Sequence, residues 1–201
     1  MVQQLDLFAG AAPAYDPEYR GLVRTDLGLG AWIDHVPGWV ANHGALFAEL
    51  ERDLPWRSER MYIARRWVDV PRLLASVPPH ALIDRMRDAL SLRYGEPFVH
   101  TTAALYRDGK DSVAFHGDTT ARDMDEALVA TVSLGARRKL LVKPTDGGHS
   151  IVLPIGEGDL VVMGGTCQRT QRHAIPKTAK ALPRIVLMFR PAWARGYDSK
   201  Y

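Results

Sequence analysis

The chain has 201 residues, of which 46% are hydrophobic and 24% are charged. This length suits one domain with a sizeable core, and this composition excludes a wholly disordered chain. The formal net charge is only +3, so the distribution of the charge is more informative than its sum.

The single cysteine and the apolar runs bear on the cellular setting. Cys167 has no second cysteine to pair with, so an intrachain disulfide is excluded and a reducing, cytoplasmic setting is expected. Residues 1–10 lack a basic leader region, and no run approaches the roughly 20 apolar residues of a membrane span. We therefore expect a soluble monomer with no signal peptide and no membrane contact.

Two stretches of the chain are basic. Five arginines against two acids lie between Arg57 and Arg72, and residues 169–180 contain four lysines and arginines and no acid. Such clusters suit a polyanionic partner. Solvated loops on a mildly basic protein are the alternative interpretation.

The first third of the chain predicts an arm and then helices. Residues 9–30 are rich in alanine, glycine and proline, which predicts an irregular arm over residues 1–30. One helix is predicted after Asn42, a candidate N-cap, and before Pro55; a second is predicted between Pro79 and Gly95. Their apolar stripes are Leu46, Phe47, Leu50 and Leu54, and Leu82, Met86, Ala89 and Leu90.

After Gly95 the sequence changes to short β-type runs separated by turn residues. The runs cover residues 98–106, 112–116, 127–134, 139–143, 150–154, 159–163 and 184–190. Many short strands at this spacing are typical of a β-sandwich or barrel. The predicted fold class is therefore α+β, with N-terminal helices buttressing one sheet.

A candidate metal site comes from three residues. His116 and Asp118 form an H-x-D pattern, and residues two apart on an extended backbone project to the same face. His173 offers a third ligand near the end of the strand series. Two histidines and one carboxylate form the facial triad of non-heme Fe(II) oxygenases. The alternative is an accidental pattern among seven histidines, with each histidine on the surface or satisfied in the core.

The last predicted strand carries an arginine at each end. Arg184 and Arg190 are six residues apart, so they share a face, roughly 20 Å from one another at ~3.3 Å per residue. Val186 and Met188 lie between them on that face. An arginine among apolar positions needs a partner, and a dicarboxylate that chelates the metal would supply one for Arg184. Arg190 could steady Asp118. The alternative is an edge strand whose arginines reach solvent.

These motifs, in this order, resemble the AlkB family of Fe(II)- and 2-oxoglutarate-dependent dioxygenases, which are nucleic-acid dealkylases. The segment from Leu105 to Val113 resembles the family segment whose tyrosine, here Tyr106, hydrogen-bonds 2-oxoglutarate. Residues 131–135 (TVSLG) and 158–165 (GDLVVMGG) resemble two further family strands. Residues 70–73 (VPRL) resemble a motif in the substrate lid of eukaryotic repair members. The similarity spans about Trp56 to Pro191.

The resemblance implies a fold, cofactors and an activity. The implied fold is a double-stranded β-helix, a cupin-like jelly roll, as one catalytic domain over residues 31–201 with a lid near 56–76. The implied cofactors are Fe(II), 2-oxoglutarate and O₂, with His116, Asp118 and His173 as metal ligands and Tyr106, Arg184 and Arg190 around the co-substrate. The implied reaction is oxidative dealkylation of N-alkylated bases in DNA or RNA, which releases formaldehyde, succinate and CO₂.

The resemblance also implies how substrate is bound. The substrate would be single-stranded or flipped-out alkylated nucleic acid. Arg65, Arg66 and Arg72 would contact phosphates, and Tyr62 or Trp67 would stack on a base; for the two aromatics, packing in the core or lid is an equal alternative.

Three positions depart from the family pattern. Ala104 and Val186 stand where relatives often carry asparagine near 2-oxoglutarate, so the co-substrate is expected to depend more on Arg184 and Tyr106. Thr120 stands where several relatives carry a carboxylate that sorts bases. Asp123, Asp125 or Glu126 are candidates to compensate.

The extreme N-terminus carries a separate motif. Residues Gln4 to Phe8 read QLDLF, which resembles the segment by which bacterial repair and replication proteins dock on the sliding clamp. Leu7 and Phe8 would insert into an apolar groove of the clamp. This interpretation predicts a bacterial, nucleoid-associated enzyme with DNA among its substrates. The alternative is that these residues fold back on the core or form a first strand.

Two rival functions stay open at this point. An AlkB-like hydroxylase of a protein or small molecule would keep the metal site and make the arginines incidental. A catalytically silent nucleic-acid-binding module would keep the scaffold, although the complete triad and both arginines speak against it.

Overall fold

The computed structural model describes residues 11–63, 65–118 and 124–191. Three helices are described there. They are α1 (His43–Asp53), α2 (Ala81–Tyr94) and the short α3 (Cys167–Thr170). The strands before α2 are β1 (Ala14–Tyr15), β2 (Val23–Gly28), β3 (Ala31–Val36), β4 (Val40–Ala41), β5 (Arg57–Ile63) and β6 (Arg66–Ser76). The strands after it are β7 (Phe98–Tyr106), β8 (Val113–His116), β9 (Val129–Gly135), β10 (Arg138–Pro144), β11 (Ile151–Ile155), β12 (Asp159–Gly165), β13 (Gln171–Ile175) and β14 (Arg184–Pro191).

Two antiparallel sheets make up most of the fold. The large sheet has eight strands in the order β2-β3-β12-β9-β14-β7-β6-β5, and the small sheet has four in the order β11-β10-β13-β8. Alternate residues of β14 separate two cores: Ile185, Leu187 and Phe189 pack in a cluster with the helices, whereas Val186 and Met188 face a cluster shared with the small sheet. The large sheet is therefore covered by helices on one face and by the small sheet on the other. This arrangement confirms the predicted jelly roll with buttressing helices.

The two helices form for the reasons that the sequence indicates. Leu46 and Leu50 of α1, and Leu82, Met86 and Leu90 of α2, are buried against the large sheet. Gly95 ends α2 with a φ of 70°, a left-handed conformation that glycine adopts without strain.

The caps differ from expectation. Asn42 precedes α1, but its side chain does not cap the helix; its Nδ2 donates to the carbonyl of Ala12 at 3.3 Å. The other helix, α2, does have a side-chain cap: Nδ1 of His80 accepts a hydrogen bond from the Ile83 amide at 3.4 Å.

The prediction of an irregular arm is wrong for part of residues 9–30. Val23–Gly28 is an edge strand of the large sheet and pairs with β3, and Ala14–Tyr15 pairs with β4. The first third of the chain is thus richer in strands than the sequence suggested. Pairing with β3 and an ion pair of Arg24 with buried Asp34, at 2.6 Å, hold β2 despite its weak alternation. The division into an arm (1–30) and a domain (31–201) stays a prediction.

Among the residues that the structure describes, no helix is long and apolar enough to span a membrane.

Candidate active site

The three predicted metal ligands lie together at one end of the small sheet. His116 ends β8 and is the cross-strand partner of His173 in β13. Asp118 follows two residues after His116. One ligand atom from each of the three side chains lies within 4.8 Å of the others, and the two imidazole centroids are 4.3 Å apart. Two nitrogen donors and one oxygen donor therefore converge on one point, as a facial triad requires.

Neighbouring groups orient these donors. The Nδ1 of His116 lies 2.9 Å from the Ala114 carbonyl; donation to that oxygen leaves Nε2 unprotonated, and Nε2 lies 3.8 Å from Asp118 Oδ1. Arg190 donates to Asp118 Oδ2 from Nε at 3.0 Å and from Nη2 at 2.8 Å. One carboxylate oxygen is thus held by arginine, and the other faces the histidines.

Gln168 of α3 also positions the carboxylate. Its Oε1 accepts from the backbone amide of Asp118 at 2.8 Å. The backbones approach so closely here that a Cβ on Gly117 would lie 2.7 Å from the Gln168 carbonyl oxygen. Only glycine fits this turn, and the turn aims Asp118 at the histidines. The sequence gives no signal for the role of Gln168.

Neighbouring charges and burial shift the pKa values of two triad residues, Asp118 and His173. Burial works to raise the pKa of Asp118, but Arg190 and the two histidines lower it further, so the net pKa lies below its ordinary value. Burial, and then repulsion by His116, lowers the pKa of His173 to about 4. An ionised carboxylate and a neutral imidazole at neutral pH are the forms that coordinate a metal.

Arg184 lies at the other end of the same face of β14, deep in the core. It is 1% exposed, and its Nη2 donates to Ser133 Oγ at 2.8 Å. Within the described residues, its Nε and Nη1 are buried without a hydrogen-bond partner. Burial lowers the pKa of this guanidinium, and the nearby Tyr106 hydroxyl opposes that shift. Two unpaired N–H donors on a buried cation are suited to a carboxylate.

Tyr106 lies between two buried arginines, one of which the sequence analysis missed. The ring centroid of Tyr106 is 5.1 Å from Cζ of Arg184 and 5.8 Å from Cζ of Arg138. Arg138 donates to the carbonyls of Asp108, Asp111 and Pro176 at 3.1, 2.9 and 2.7 Å. Arg138 therefore fixes the loop that follows Tyr106. In the sequence it stands in a basic pair (Arg137-Arg138) just before the predicted run 139–143, and no motif singles it out.

The two positions where relatives often carry asparagine are apolar and buried on the Arg184 face. Ala104 is 1% exposed and Val186 is 6% exposed, and both belong to the core cluster that contains Tyr106. Ser133 and Tyr106, by contrast, are polar residues that lie beside the guanidinium of Arg184.

The predicted lid is the β5–β6 hairpin at the edge of the large sheet. Arg65 is exposed at its tip with a φ of 63°. Arg72 is half-buried, and its Nη1 lies 3.4 Å from the Ser112 carbonyl. Trp67 is 60% exposed, and its ring lies 6.0 Å from Cζ of Arg60. The structure does not describe the side chains of Tyr62 and Arg66, so their roles stay predictions.

Several other predicted positions fall outside the described residues. These are the N-terminal motif from Gln4 to Phe8, Thr120 and Asp123. The second basic stretch is described, and it borders the metal site: Arg169 and Arg172 line a cleft with His116, Asp118, Gln168 and Thr145. Basic side chains thus flank one side of the opening to the triad.

Comparisons with known proteins agree with this geometry. A family model described as the 2OG-Fe(II) oxygenase superfamily matches residues 41–190, which is more than half of the chain. Among solved structures, OsALKBH1 is similar with a TM-score of 0.58, at 11% identity over 84% of this chain and 100% of that one. An oxidoreductase of the 2OG-Fe(II) oxygenase family from Burkholderia pseudomallei has a TM-score of 0.56, at 17% identity over 79% of this chain and 84% of that one. These two likenesses support the fold.

Curated relatives carry the AlkB resemblance. The alpha-ketoglutarate-dependent dioxygenase alkB homolog 3 of Bos taurus is 26% identical over 78% of this chain and 65% of its own length. The DNA oxidative demethylase ALKBH2 of Bos taurus is 26% identical over 72% of this chain and 63% of its own length. The chain thus spans just under two thirds of the length of these relatives. The predicted similarity to AlkB homologues is confirmed, and the family model shows that the chain belongs to the 2OG-Fe(II) oxygenase superfamily.

Proposed function

We propose that this protein is an Fe(II)- and 2-oxoglutarate-dependent dioxygenase that removes alkyl groups from nitrogen atoms of nucleic-acid bases. The observation that carries the proposal is the convergence of His116, Asp118 and His173 within 4.8 Å on the same side of the fold as a buried arginine with two unpaired donors. The first feature fits a metal with open coordination positions, and the second fits a carboxylate co-substrate.

The triad would hold Fe(II) through three oriented atoms. His116 would use Nε2, because its Nδ1 lies beside the Ala114 carbonyl. Asp118 would use Oδ1, because Arg190 holds Oδ2. His173 is already neutral, so it would bind without first losing a proton. The donor set has no thiolate, which favours Fe(II) over a structural zinc ion.

The co-substrate would lie between the triad and Arg184. Arg184 Nε and Nη1 would donate to the far carboxylate of 2-oxoglutarate, and Tyr106 and Ser133 flank this guanidinium. Burial of Arg184 excludes water that would otherwise compete for its donors. When bound, Fe(II), 2-oxoglutarate and O₂ supply the oxidation, which hydroxylates an N-alkyl carbon and yields succinate and CO₂; the N-hydroxymethyl product then breaks down to formaldehyde and the dealkylated base.

The nucleic-acid substrate is supported by the relatives and by charge. The names of two relatives identify an alkB homologue and a DNA oxidative demethylase. On this chain, the β5–β6 hairpin carries Arg65, Arg66 and Arg72, and the cleft at the triad is flanked by Arg169 and Arg172. Basic side chains of the hairpin and of the cleft would bind the backbone of a strand whose base enters the site.

One experiment separates this function from its rivals. The protein would be incubated with Fe(II), 2-oxoglutarate and a panel of methylated DNA and RNA oligonucleotides, with succinate and oligonucleotide mass followed together. Equal amounts of succinate formed and alkyl groups lost support dealkylation. Iron-dependent succinate with every oligonucleotide unchanged points to a protein or small-molecule substrate. Oligonucleotide binding without any succinate identifies a silent binding module.

The proposal about where the enzyme acts in the cell depends on its N-terminal motif. Docking of residues Gln4 to Phe8 on a bacterial sliding clamp would place the enzyme near replicating DNA, where alkylated single strands are exposed. This partner stays a prediction.

A further inference from the structure

The sulfur of Met188 contacts the arginine that holds the metal-site carboxylate. Arg190 Nη2 lies 3.9 Å from Met188 Sδ and donates to Asp118 Oδ2 at 2.8 Å. A thioether sulfur is a weak acceptor, whereas an ionised carboxylate is a strong one. The Arg190 guanidinium therefore binds mainly to Asp118 as long as the sulfur of Met188 is reduced.

Met188 is also open to a small solute. Its side chain is half-buried and lines, with Thr102, a cleft that extends across the large sheet from β14 to β5. Met163 makes a similar contact, because its Sδ accepts from Gln168 Nε2 at 3.8 Å, but Met163 is only 2% exposed. Gln168 and Arg190 both hold Asp118, so each contacts a methionine sulfur, and of these two sulfurs the one on Met188 belongs to the accessible side chain.

We propose that Met188 is an oxidation site, and that its sulfoxide competes with Asp118 for Arg190 and so weakens metal binding. This inference rests on the metal site of the proposed function. Hydrogen peroxide transfers one oxygen atom to the sulfur: the O–O bond breaks, an S–O bond forms and water leaves. The sulfur loses the two electrons that the peroxide gains. Methionine sulfoxide reductases reverse this modification, so the loss of metal is a reversible response to peroxide.

The contact distances connect the modification to the metal site. An oxygen added to Met188 Sδ comes within hydrogen-bonding distance of Arg190 Nη2, because the sulfur itself is only 3.9 Å away. Oxidation turns an apolar side chain into a polar one, which Arg190 binds at the expense of Asp118 Oδ2. The other oxygen, Oδ1, is then no longer aimed at the histidines. Loss of a group that orients a metal ligand typically costs about 10- to 100-fold in metal affinity.

The first measurement locates the oxidation. Metal-free full-length protein is treated with hydrogen peroxide, the reaction is stopped with catalase, and peptides are analysed by mass spectrometry. Met188 should gain one oxygen atom, as should Met124, which is 40% exposed, whereas the buried Met86 and Met163 should not. Met188 that stays as reduced as Met86 and Met163 overturns the inference.

The second measurement follows metal affinity by Mn²⁺ titration before and after peroxide. The wild type should lose about 10- to 100-fold in affinity, and methionine sulfoxide reductases should restore it. Met188→Leu cannot form the sulfoxide, so its affinity should be the same before and after treatment. Met124→Leu is the matched control and should lose affinity as the wild type does. An equal loss in Met188→Leu, or no loss in the wild type, overturns the inference.

A third variant tests the contact without any oxidant. Met188→Gln places a carbonyl acceptor beside Arg190 and should bind Mn²⁺ at least about tenfold more weakly than Met188→Leu; equal affinities overturn the inference. The thiol of Cys167 should not contribute, because burial raises its pKa to about 12, and a thiol assay after treatment checks this. Untreated wild type that binds no Mn²⁺ overturns the proposed function together with this inference, whereas the other contrary results leave the proposed function intact.

Discussion

Replacement of Arg184 by methionine should make the cofactor-free protein more stable while it damages co-substrate binding. Arg184 is 1% exposed, and only its Nη2 has a hydrogen-bond partner among the described residues. A buried charge with so little compensation costs free energy in the folded state. Replacing a buried ion pair by well-packed apolar residues of similar volume is often neutral or stabilising, by up to about 1–4 kcal/mol, and Arg184 lacks even the ion-pair partner among the described residues. In a domain of this size, this corresponds to an increase in Tm of roughly 2–4 °C per kcal/mol.

The same substitution should raise the 2-oxoglutarate requirement. Loss of one partner of a buried charge pair costs about 2–5 kcal/mol, or roughly 30-fold to several thousand-fold in affinity. The KM for 2-oxoglutarate and the Kd from titration of the Mn²⁺-loaded protein would measure this loss. Metal affinity itself should change little, because Arg184 lies at the opposite end of β14 from the Asp118 partner Arg190.

Arg138→Met is the matched control. Arg138 is also buried, at 5% exposure, but its guanidinium donates to three backbone carbonyls. Removing it leaves these carbonyls unpaired, so its Tm should fall. A decrease in Tm for both variants would show that the Arg184 donors are already paired in the free protein. An unchanged 2-oxoglutarate requirement in Arg184→Met would place the far carboxylate elsewhere.

Four further predictions concern the triad, its titration, the hairpin and the N-terminus. His116→Ala, Asp118→Ala and His173→Ala should each abolish succinate formation. If one of these variants kept near-normal activity and iron content, the residue that it replaces would not be a metal ligand. The pKa of His173 is lowered to about 4 in the folded metal-free protein. Between that pH and the ordinary histidine pKa of about 6.5, the unfolded chain therefore binds a proton that the folded protein does not bind. Stability contributed by His173 should therefore be complete above pH ~6.5 and be lost as the pH falls towards about 4, by up to about 3 kcal/mol; urea denaturation of His173→Gln should show a flatter profile over that range. Changing Arg65, Arg66 and Arg72 together to glutamine should weaken oligonucleotide binding and flatten its salt dependence, and equal affinity at low salt would favour a small-molecule substrate. Leu7→Ala/Phe8→Ala should abolish titratable binding to a purified bacterial sliding clamp with no change in Tm, and equal binding by the wild type and the variant would refute the docking motif.

The β-strands after Gly95 could be predicted from the sequence because each presents apolar residues at a period of two or in a short continuous run. The predicted run 98–106 has the same bounds as β7, and the run 184–190 differs from β14 by one residue. The early strands were missed for a physical reason. In β3, Asp34 and His35 interrupt the apolar pattern, yet Asp34 is 1% exposed because Arg24 and Tyr94 pair with it. The partners that compensate the burial of this carboxylate are distant in sequence, so no local sequence pattern predicts that Asp34 lies in a buried strand.

The candidate site also contains some residues that the sequence pattern identifies and others that it does not. The metal ligands and the β14 arginines are found because their chemistry fixes their spacing: two apart for ligands on one strand face, and an even number apart for residues that share a face. Gln168 and Arg138 have no such spacing rule. Each becomes relevant only through a contact distant in sequence, such as the 2.8 Å bond from the Asp118 amide to Gln168.

The two arginines of β14 lie at opposite ends of the candidate site. Arg190 has a carboxylate partner already present in the chain, Asp118, whereas Arg184 has two donors with no partner among the described residues. Because the two side chains share one face, a ligand that bridges the triad and Arg184 must lie along Val186 and Met188, which are apolar. On the neighbouring strands, Ala104 and Ser133 lie opposite Val186, and Thr102 and Thr131 lie opposite Met188. The charged donors of this face lie at its two ends, and a dicarboxylate with one end on the metal and the other on Arg184 matches that arrangement.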